Sequence, residues 1–273
     1  MNVIGIIAEY NPFHNGHLYH LQKIKELYPD SLIICVMSGN TTERGDISVI
    51  NKWDKTRICL EAGIDIIIEL PFKYASGSAD LFTYGSMKLL NWMSVDTIVF
   101  GSESNDIASL EECAKVQINS DKYDKLVKEY LSTGLNYPTS LSKALYDITG
   151  LNINTPNDIL AIGYIREIIN NKYDIKPVSI KRTTDYNSKE LNKVSSASAI
   201  REALKNNMDI TGSIPVYVHK YLTEYIDIED YYDIIKYKII SEINNLDIYQ
   251  EMDDKIIPRI KKYIYETSTI LLE

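Results

Sequence analysis

Residues 3–17 read Val3-Ile4-Gly5-Ile6-Ile7-Ala8-Glu9-Tyr10-Asn11-Pro12-Phe13-His14-Asn15-Gly16-His17. The run from Val3 to Ala8 is short and apolar, as in a strand covered on both faces. Asn-Pro marks a turn, and Leu18, Leu21, Ile24 and Leu27 then recur at near-helical spacing, so a helix is predicted to start near Gly16. Strand, turn and helix in that order place Asn11 to His17 at the carboxyl end of a central strand, where open α/β sheets bind ligands.

Working outward, further apolar runs bounded by polar turns lie at Leu32 to Met37, Ile64 to Leu70, Thr97 to Phe100 and Ile175 to Ile180, each followed by a helical pattern. This alternation predicts an α/β fold, a doubly wound, Rossmann-like parallel sheet of five strands with crossover helices. After about residue 205 strand signals stop, and helical stretches are predicted at Val216 to Tyr225, Tyr231 to Ile243 and Asp253 to Tyr265. The expected organisation is a catalytic α/β domain over 1–208 and a helical C-terminal region over 209–273.

The turn carries the chemistry. Backbone N–H groups at a helix start, together with the positive end of its dipole, attract phosphate. Gly16 lets the backbone approach closely, and His14 and His17 can donate to oxygens that gain charge in a transition state. In this reading the imidazoles are electrostatic stabilisers, not nucleophiles, and attack falls on the α-phosphate of ATP. The competing reading makes His14, His17 and His20 ordinary polar residues or a metal cluster; their spacing does not hold three ligands on one helix face, and no nearby cysteine completes a set. No metal site is expected.

A second signal is Ser195-Ser196-Ala197-Ser198-Ala199-Ile200-Arg201, hydroxyls at a helix start followed by an arginine. It reads as a grip on the β- and γ-phosphates from the opposite wall of the pocket, or as an N-capping serine box with a solvent-facing arginine. Between the two lie Ser38-Gly39-Asn40 and Glu43-Arg44-Gly45-Asp46 after the second strand, either a substrate loop or solvated charges. Phe100-Gly101-Ser102-Glu103 ends the fourth strand, where Gly101 offers bare backbone to adenine or ribose. Backbone readout around Ile6 to Glu9 is expected to favour ATP over other nucleotides.

Bulk properties narrow the class. At 273 residues, 45% hydrophobic and 25% charged, the chain is long enough for one α/β domain with an appendage. A net charge of -9 disfavours a sequence-independent grip on nucleic acid. Cys35, Cys59 and Cys113 show no CxxC spacing and suit a reducing compartment. The N-terminal run lacks a basic leader, and no apolar stretch approaches the roughly 20 residues that span a bilayer, so a cytoplasmic protein is expected. The 21 tyrosines are spread along the chain and receive no function.

These segments resemble the bacterial tRNA(Met) cytidine acetate ligases, HxGH nucleotidyltransferase-like proteins. The resemblance rests on AEYNPFHNGHLYH at 8–20, MSGN with ERGD within 37–46, NKW at 51–53, IELP at 68–71, FGSE at 100–103, TPNDIL at 155–160 and SSASAIR at 195–201. Ordinary adenylyltransferases share only the first and last of these. The resemblance implies that ATP and acetate form acetyl-adenylate and pyrophosphate, and that the N4 amine of the wobble cytidine of elongator tRNA(Met) then attacks the mixed anhydride. It implies an ATP site made of Ile7, Ala8, Glu9, Tyr10, Asn11, Pro12, Phe13, His14, Asn15, Gly16, His17, Leu18, Tyr19 and His20, with Gly101, Asn157 and Arg182. Ser195 and Ser196 join it from the second signal. His14, His17 and Arg201 are the expected catalytic residues, and Mg2+ is expected to arrive with ATP. Acetate and elongator tRNA(Met) are the expected partners, with a homodimer as the oligomer considered and no membrane. Family members continue past the equivalent of Glu273 with further helices, so the C-terminal region is expected to be incomplete; its basic residues include a modest cluster, Lys255, Arg259, Lys261 and Lys262.

Two other readings stay open at this stage. One is an adenylyl- or cytidylyltransferase joining a nucleotide to a phosphorylated metabolite through the same two motifs. The other is a non-catalytic RNA-binding protein with a retained pocket, against which stand the intact His14, Gly16, His17 and Arg201.

Overall fold

The computed structural model describes residues 1–182, 196–222, 225–250 and 252–270. Five strands, β1 (Val3–Ala8), β2 (Leu32–Ser38), β3 (Ile66–Leu70), β4 (Thr97–Ser102) and β5 (Lys176–Lys181), form one sheet in the order β3-β2-β1-β4-β5. Every pairing is parallel, with Ala8 beside Met37, Gly5 beside Ile98 and Gly101 beside Ile180. β1 has the bounds its apolar run predicts. β5 contains Pro177, which donates no ladder hydrogen bond and is tolerated because β5 is an edge strand.

Both faces are covered, as the continuous apolar runs require. On one face Ile4, Ile6, Ile33, Cys35, Met37 and Val99 pack against α1 (Asn15–Leu27), α2 (Lys52–Glu61) and α9 (Ala197–Lys205), through Leu21, Ile24, Ile58 and Ile200. On the other, Ile34, Val36, Leu70, Ile98 and Phe100 meet α4 (Ala79–Trp92), α5 (Ile107–Asn119), α7 (Tyr137–Thr149) and α8 (Pro156–Asn171), through Phe82, Met87, Leu90, Leu110, Ala144 and Ile165. The short helix α3 (Phe72–Ala75) and helix α6 (Asp121–Ser132) complete this set. Gly5 lets α4 close on the sheet, since a Cβ there would stand 2.8 Å from Val95 Cγ1 and 2.9 Å from Leu90 Cδ2. The fold is thus the doubly wound sheet expected. Its order reverses at β1, which has β2 on one side and β4 on the other, so the crevice lies at the carboxyl ends of β1 and β4.

The C-terminal region departs in detail from the predicted helices. Val216–Tyr221 is a 3-10 helix in place of an α-helix running to Tyr225. Pro215 opens it, and the branched Val216 and Val218 disfavour a longer helix. Helices α10 (Tyr232–Ser241) and α11 (Ile256–Tyr263) are shorter than predicted, and no described residue of either is buried. Ile210, Ile214 and Val218 lie in the same core as α1 and α2. Asn15 anchors the first turn to that segment, its backbone N–H donating to Ser213 O at 3.1 Å and its Nδ2 to Gly212 O at 2.9 Å.

Candidate active site

A cavity of about 610 Å3 opens at this crevice. Its walls bring together Ile6, Ile7, Ala8, Glu9, Tyr10, Asn11, His14, Gly16, His17, Tyr19 and His20 from the first βα unit, with Gly101, Asn157, Arg182, Ser196 and Arg201. Pro12, Phe13, Asn15 and Leu18 lie behind that wall: Phe13 is buried in the core, Leu18 packs against it, and Asn15 is spent on the anchor just described. Ser195 falls outside the described residues.

His14 is the N-cap of α1, and the cap is built from two imidazoles. The Gly16 N–H donates to His14 Nδ1 at 3.0 Å, and the His14 N–H donates to His17 Nδ1 at 3.2 Å, the reciprocal pattern of a capping box. An Nδ1 that accepts from an amide carries no proton, so each neutral ring bears its proton on Nε2. The rings stack with centroids 3.6 Å apart, and Tyr10 meets His17 edge-on at 4.7 Å. Burial lowers the His14 pKa to about 3, with the Arg182 guanidinium acting in the same direction. Burial also pulls His17 well below the ordinary histidine range, helped by His14, Arg182 and His20. Two neutral imidazoles thus offer preorganised Nε2–H donors beside the helix start.

Two arginines line the same cavity, and Arg182 acts electrostatically on both imidazoles. Arg201 reaches back across the cleft to donate from Nη1 to Asn11 O at 2.8 Å. Ser196 is the N-cap of α9, its Oγ accepting from the Ala199 N–H at 3.2 Å. The serine is therefore a capping residue while the arginine turns to the cavity. Arg182 follows β5, its N–H donating to Ser102 O at 3.0 Å and its Nε lying 3.5 Å from Glu103 Oε1. Asn157 Nδ2 donates to the same Glu103 oxygen at 2.6 Å. A Cβ on Gly101 would stand 3.3 Å from Arg182 Cγ, so the glycine leaves bare backbone beside the guanidinium stem.

Several site-forming residues were not singled out from sequence. Lys55 of α2 is 1% exposed and donates from Nζ to Glu9 O at 2.9 Å and Ser38 O at 2.8 Å, joining the ends of β1 and β2. Burial lowers its pKa to about 8, against the opposing pull of Glu9. The available signal was its place on the inner face of α2 with Ile58 and Cys59. Asp158, buried at the third position of α8, accepts from Ser102 Oγ, the Glu103 and Ser104 N–H groups and Thr155 Oγ1, and so fixes the loop after β4. Thr155-x-x-Asp158 has the spacing of a capping box. The 42–46 loop also reaches the cavity through Thr42, Glu43, Arg44 and Asp46, whereas Lys52 turns away to pair with Glu69 at 2.8 Å.

The sequence matches the HIGH Nucleotidyl Transferase family over residues 1–271. It is 41% identical to the tRNA(Met) cytidine acetate ligase of Fusobacterium nucleatum, covering 97% of this chain and 69% of that protein. The chain belongs to the tRNA(Met) cytidine acetate ligase family. Another member, from Caldicellulosiruptor saccharolyticus, is 36% identical across 99% of this chain and 70% of its own length. A crystal structure of Thermotoga maritima TmcAL bound with alpha-thio ATP superposes with a TM-score of 0.87 at 30% identity, covering 98% of this chain and 68% of that one. No helix among the described residues is long and apolar enough to cross a membrane.

Proposed function

We propose that this chain is an ATP-dependent ligase that activates acetate as acetyl-adenylate and transfers the acetyl group to N4 of the wobble cytidine of elongator tRNA(Met). The observation that carries this reading is the double-imidazole cap facing Arg182 and Arg201 across one cavity, in a chain whose relatives bear the ligase name. Acetate oxygen attacks the α-phosphorus of bound ATP and pyrophosphate leaves. The protein forms no covalent intermediate, so it acts by positioning and by neutralising charge. His14 and His17 donate from Nε2 to oxygens that gain charge, and Arg201 and Arg182 hold phosphate oxygens. Gly101 and the backbone after β1 receive adenine and ribose, and Asn157 and Arg182 exchange Glu103 for the nucleotide when it enters. Ser196, on the cavity wall, and Ser195, outside the described residues, are proposed donors to the terminal phosphates.

Mg2+ is proposed to enter on the phosphates. Among the described residues there is no cluster of three His, Cys, Asp or Glu side chains able to cage a metal, and a magnesium ion held mainly by phosphate oxygens and water needs none. The reducing cytoplasm fits three free, buried cysteines. A homodimer also belongs to the proposal, supported by the exposed Ile234 and Tyr237 of α10, and sedimentation equilibrium reads it. The deciding experiment for the activity is exchange of labelled pyrophosphate into ATP, with and without acetate. Acetate-dependent exchange supports the reading; exchange that ignores acetate and responds to a phosphorylated metabolite refutes it.

A further inference from the structure

Besides the imidazole cap and the arginines, the cavity is lined by two carboxylates, Glu9 and Glu43, and by the buried aromatics Phe82, Phe100 and Tyr164. Phe100 and Tyr164 pack with ring centroids 5.8 Å apart, and the Tyr164 hydroxyl feels the charges of both glutamates. A neutral group bearing N–H donors suits these carboxylates, which accept hydrogen bonds.

Glu9 is held for such a partner. Lys55 fixes its carbonyl at 2.9 Å, and Arg201 fixes that of Asn11, two residues on, at 2.8 Å. The Glu43 N–H donates to Glu9 Oε1 at 2.6 Å, and among the described residues no donor meets Oε2. Nearby, Thr42 Oγ1 is buried on the same wall without a hydrogen-bond partner among the described residues. The geometry points to the Glu9 carboxylate as the proton acceptor of the acyl-transfer half-reaction. This role rests on the ligase reading.

The exocyclic amine nitrogen attacks the acetyl carbon, the carbon–oxygen bond to the adenylate breaks, and AMP leaves with that electron pair. The nitrogen's surplus proton passes to Glu9 Oε2 and then to solvent. Burial raises the Glu9 carboxyl pKa, reinforced by Glu43, while the Glu43 N–H, Lys55 and Arg201 oppose it. A raised pKa makes the carboxylate a better base at neutral pH. The groups facing it are Glu43 of the loop, Lys55 of α2, Arg201 of α9 and Tyr164 of α8.

The test separates the two half-reactions in the full chain. Wild type, Glu9→Gln and Glu9→Asp are compared in acetate-dependent pyrophosphate exchange, and in single-turnover transfer from synthetic acetyl-adenylate to unmodified tRNA(Met) across pH. Because Glu9 also borders the ATP site, the two losses are compared, and we expect Glu9→Gln to lose about 10² more in transfer than it loses in exchange. Its transfer should also lose the wild-type rise with pH, and Glu9→Asp should recover part of both. An active wild type with unchanged Glu9→Gln transfer overturns the role of Glu9 alone. So does an equal loss of exchange and transfer in both folded variants, which would make Glu9 a support for ATP binding. A wild type that fails acetate-dependent exchange removes the ligase reading itself, and this inference with it.

Discussion

His17 holds two duties on two nitrogens, and isosteric substitutions part them. Its Nδ1 accepts the His14 N–H at 3.2 Å, which closes the cap of α1, while its Nε2–H is left for the cavity. Asn places an oxygen near the Nδ1 position and lacks the distal donor; Gln places an N–H near Nε2 and lacks the proximal acceptor. His17→Asn should therefore keep the cap and lose the catalytic donor. Removing one preorganised donor costs about 10² to 10³ in rate, or roughly 3–4 kcal/mol of transition-state stabilisation. Its melting temperature should stay within about 2 °C of wild type. His17→Gln should lose the cap, about 1 kcal/mol, which lowers melting by roughly 2–4 °C at this chain length, while retaining more exchange activity than His17→Asn. ATP affinity should change little in either, since backbone contacts persist. Melting, ATP titration and acetate-dependent pyrophosphate exchange on the same preparations read all three. Wild-type exchange by His17→Asn would refute the donor role. A larger loss of stability in Asn than in Gln would refute the assignment of the two nitrogens.

Lys55→Met leaves the carbonyls of Glu9 and Ser38 unpaired in the interior, so urea unfolding should show about 2–4 kcal/mol of destabilisation; an unchanged midpoint would contradict the role given to this buried cation. Gly101→Val puts a branched side chain against Arg182 Cγ, which a Cβ already approaches to 3.3 Å; calorimetric titration should show ATP binding weakened by about tenfold or more, roughly 1.4 kcal/mol, with melting nearly unchanged. Stability should also fall in acid, because His14 titrates near 3 when folded and His20 near 4, both below the ordinary 6.5. Between those values the unfolded chain binds more protons, so stability is present above about pH 6.5 and is lost as pH falls. His14 alone should account for about 2 kcal/mol at pH 5. His14→Asn should shrink the pH 7-to-5 difference in melting temperature, and an undiminished difference would contradict the burial argument.

Much of the fold was legible because local signals and tertiary demands agreed. The run Val3 to Ala8 had to be a strand covered on both sides, and the helix after it followed from its spacing and its glycine; both are where the sequence puts them. The meeting of the first turn with Arg201 across 190 residues was legible only as a pairing of motifs, and the contact between Arg201 and the Asn11 carbonyl realises it. Lys55 was hidden because a lysine in a helix ordinarily faces solvent; only its place beside Ile58 and Cys59 marked it as buried. Asp158 was hidden because its partners, Ser102 to Ser104, lie more than fifty residues away, and nothing local links them. Val216–Tyr221 read as an α-helix because periodicity over six residues does not distinguish a 3-10 turn.

The ligase activity is read directly by supplying carbon-labelled acetate, ATP and unmodified tRNA(Met) to the protein and analysing the nucleosides by mass spectrometry. Labelled N4-acetylcytidine is expected at the wobble position, formed in step with AMP and pyrophosphate and absent when acetate or ATP is left out. ATP cleavage that leaves the cytidine unlabelled, with the label in another acyl or nucleotidyl product, would contradict it.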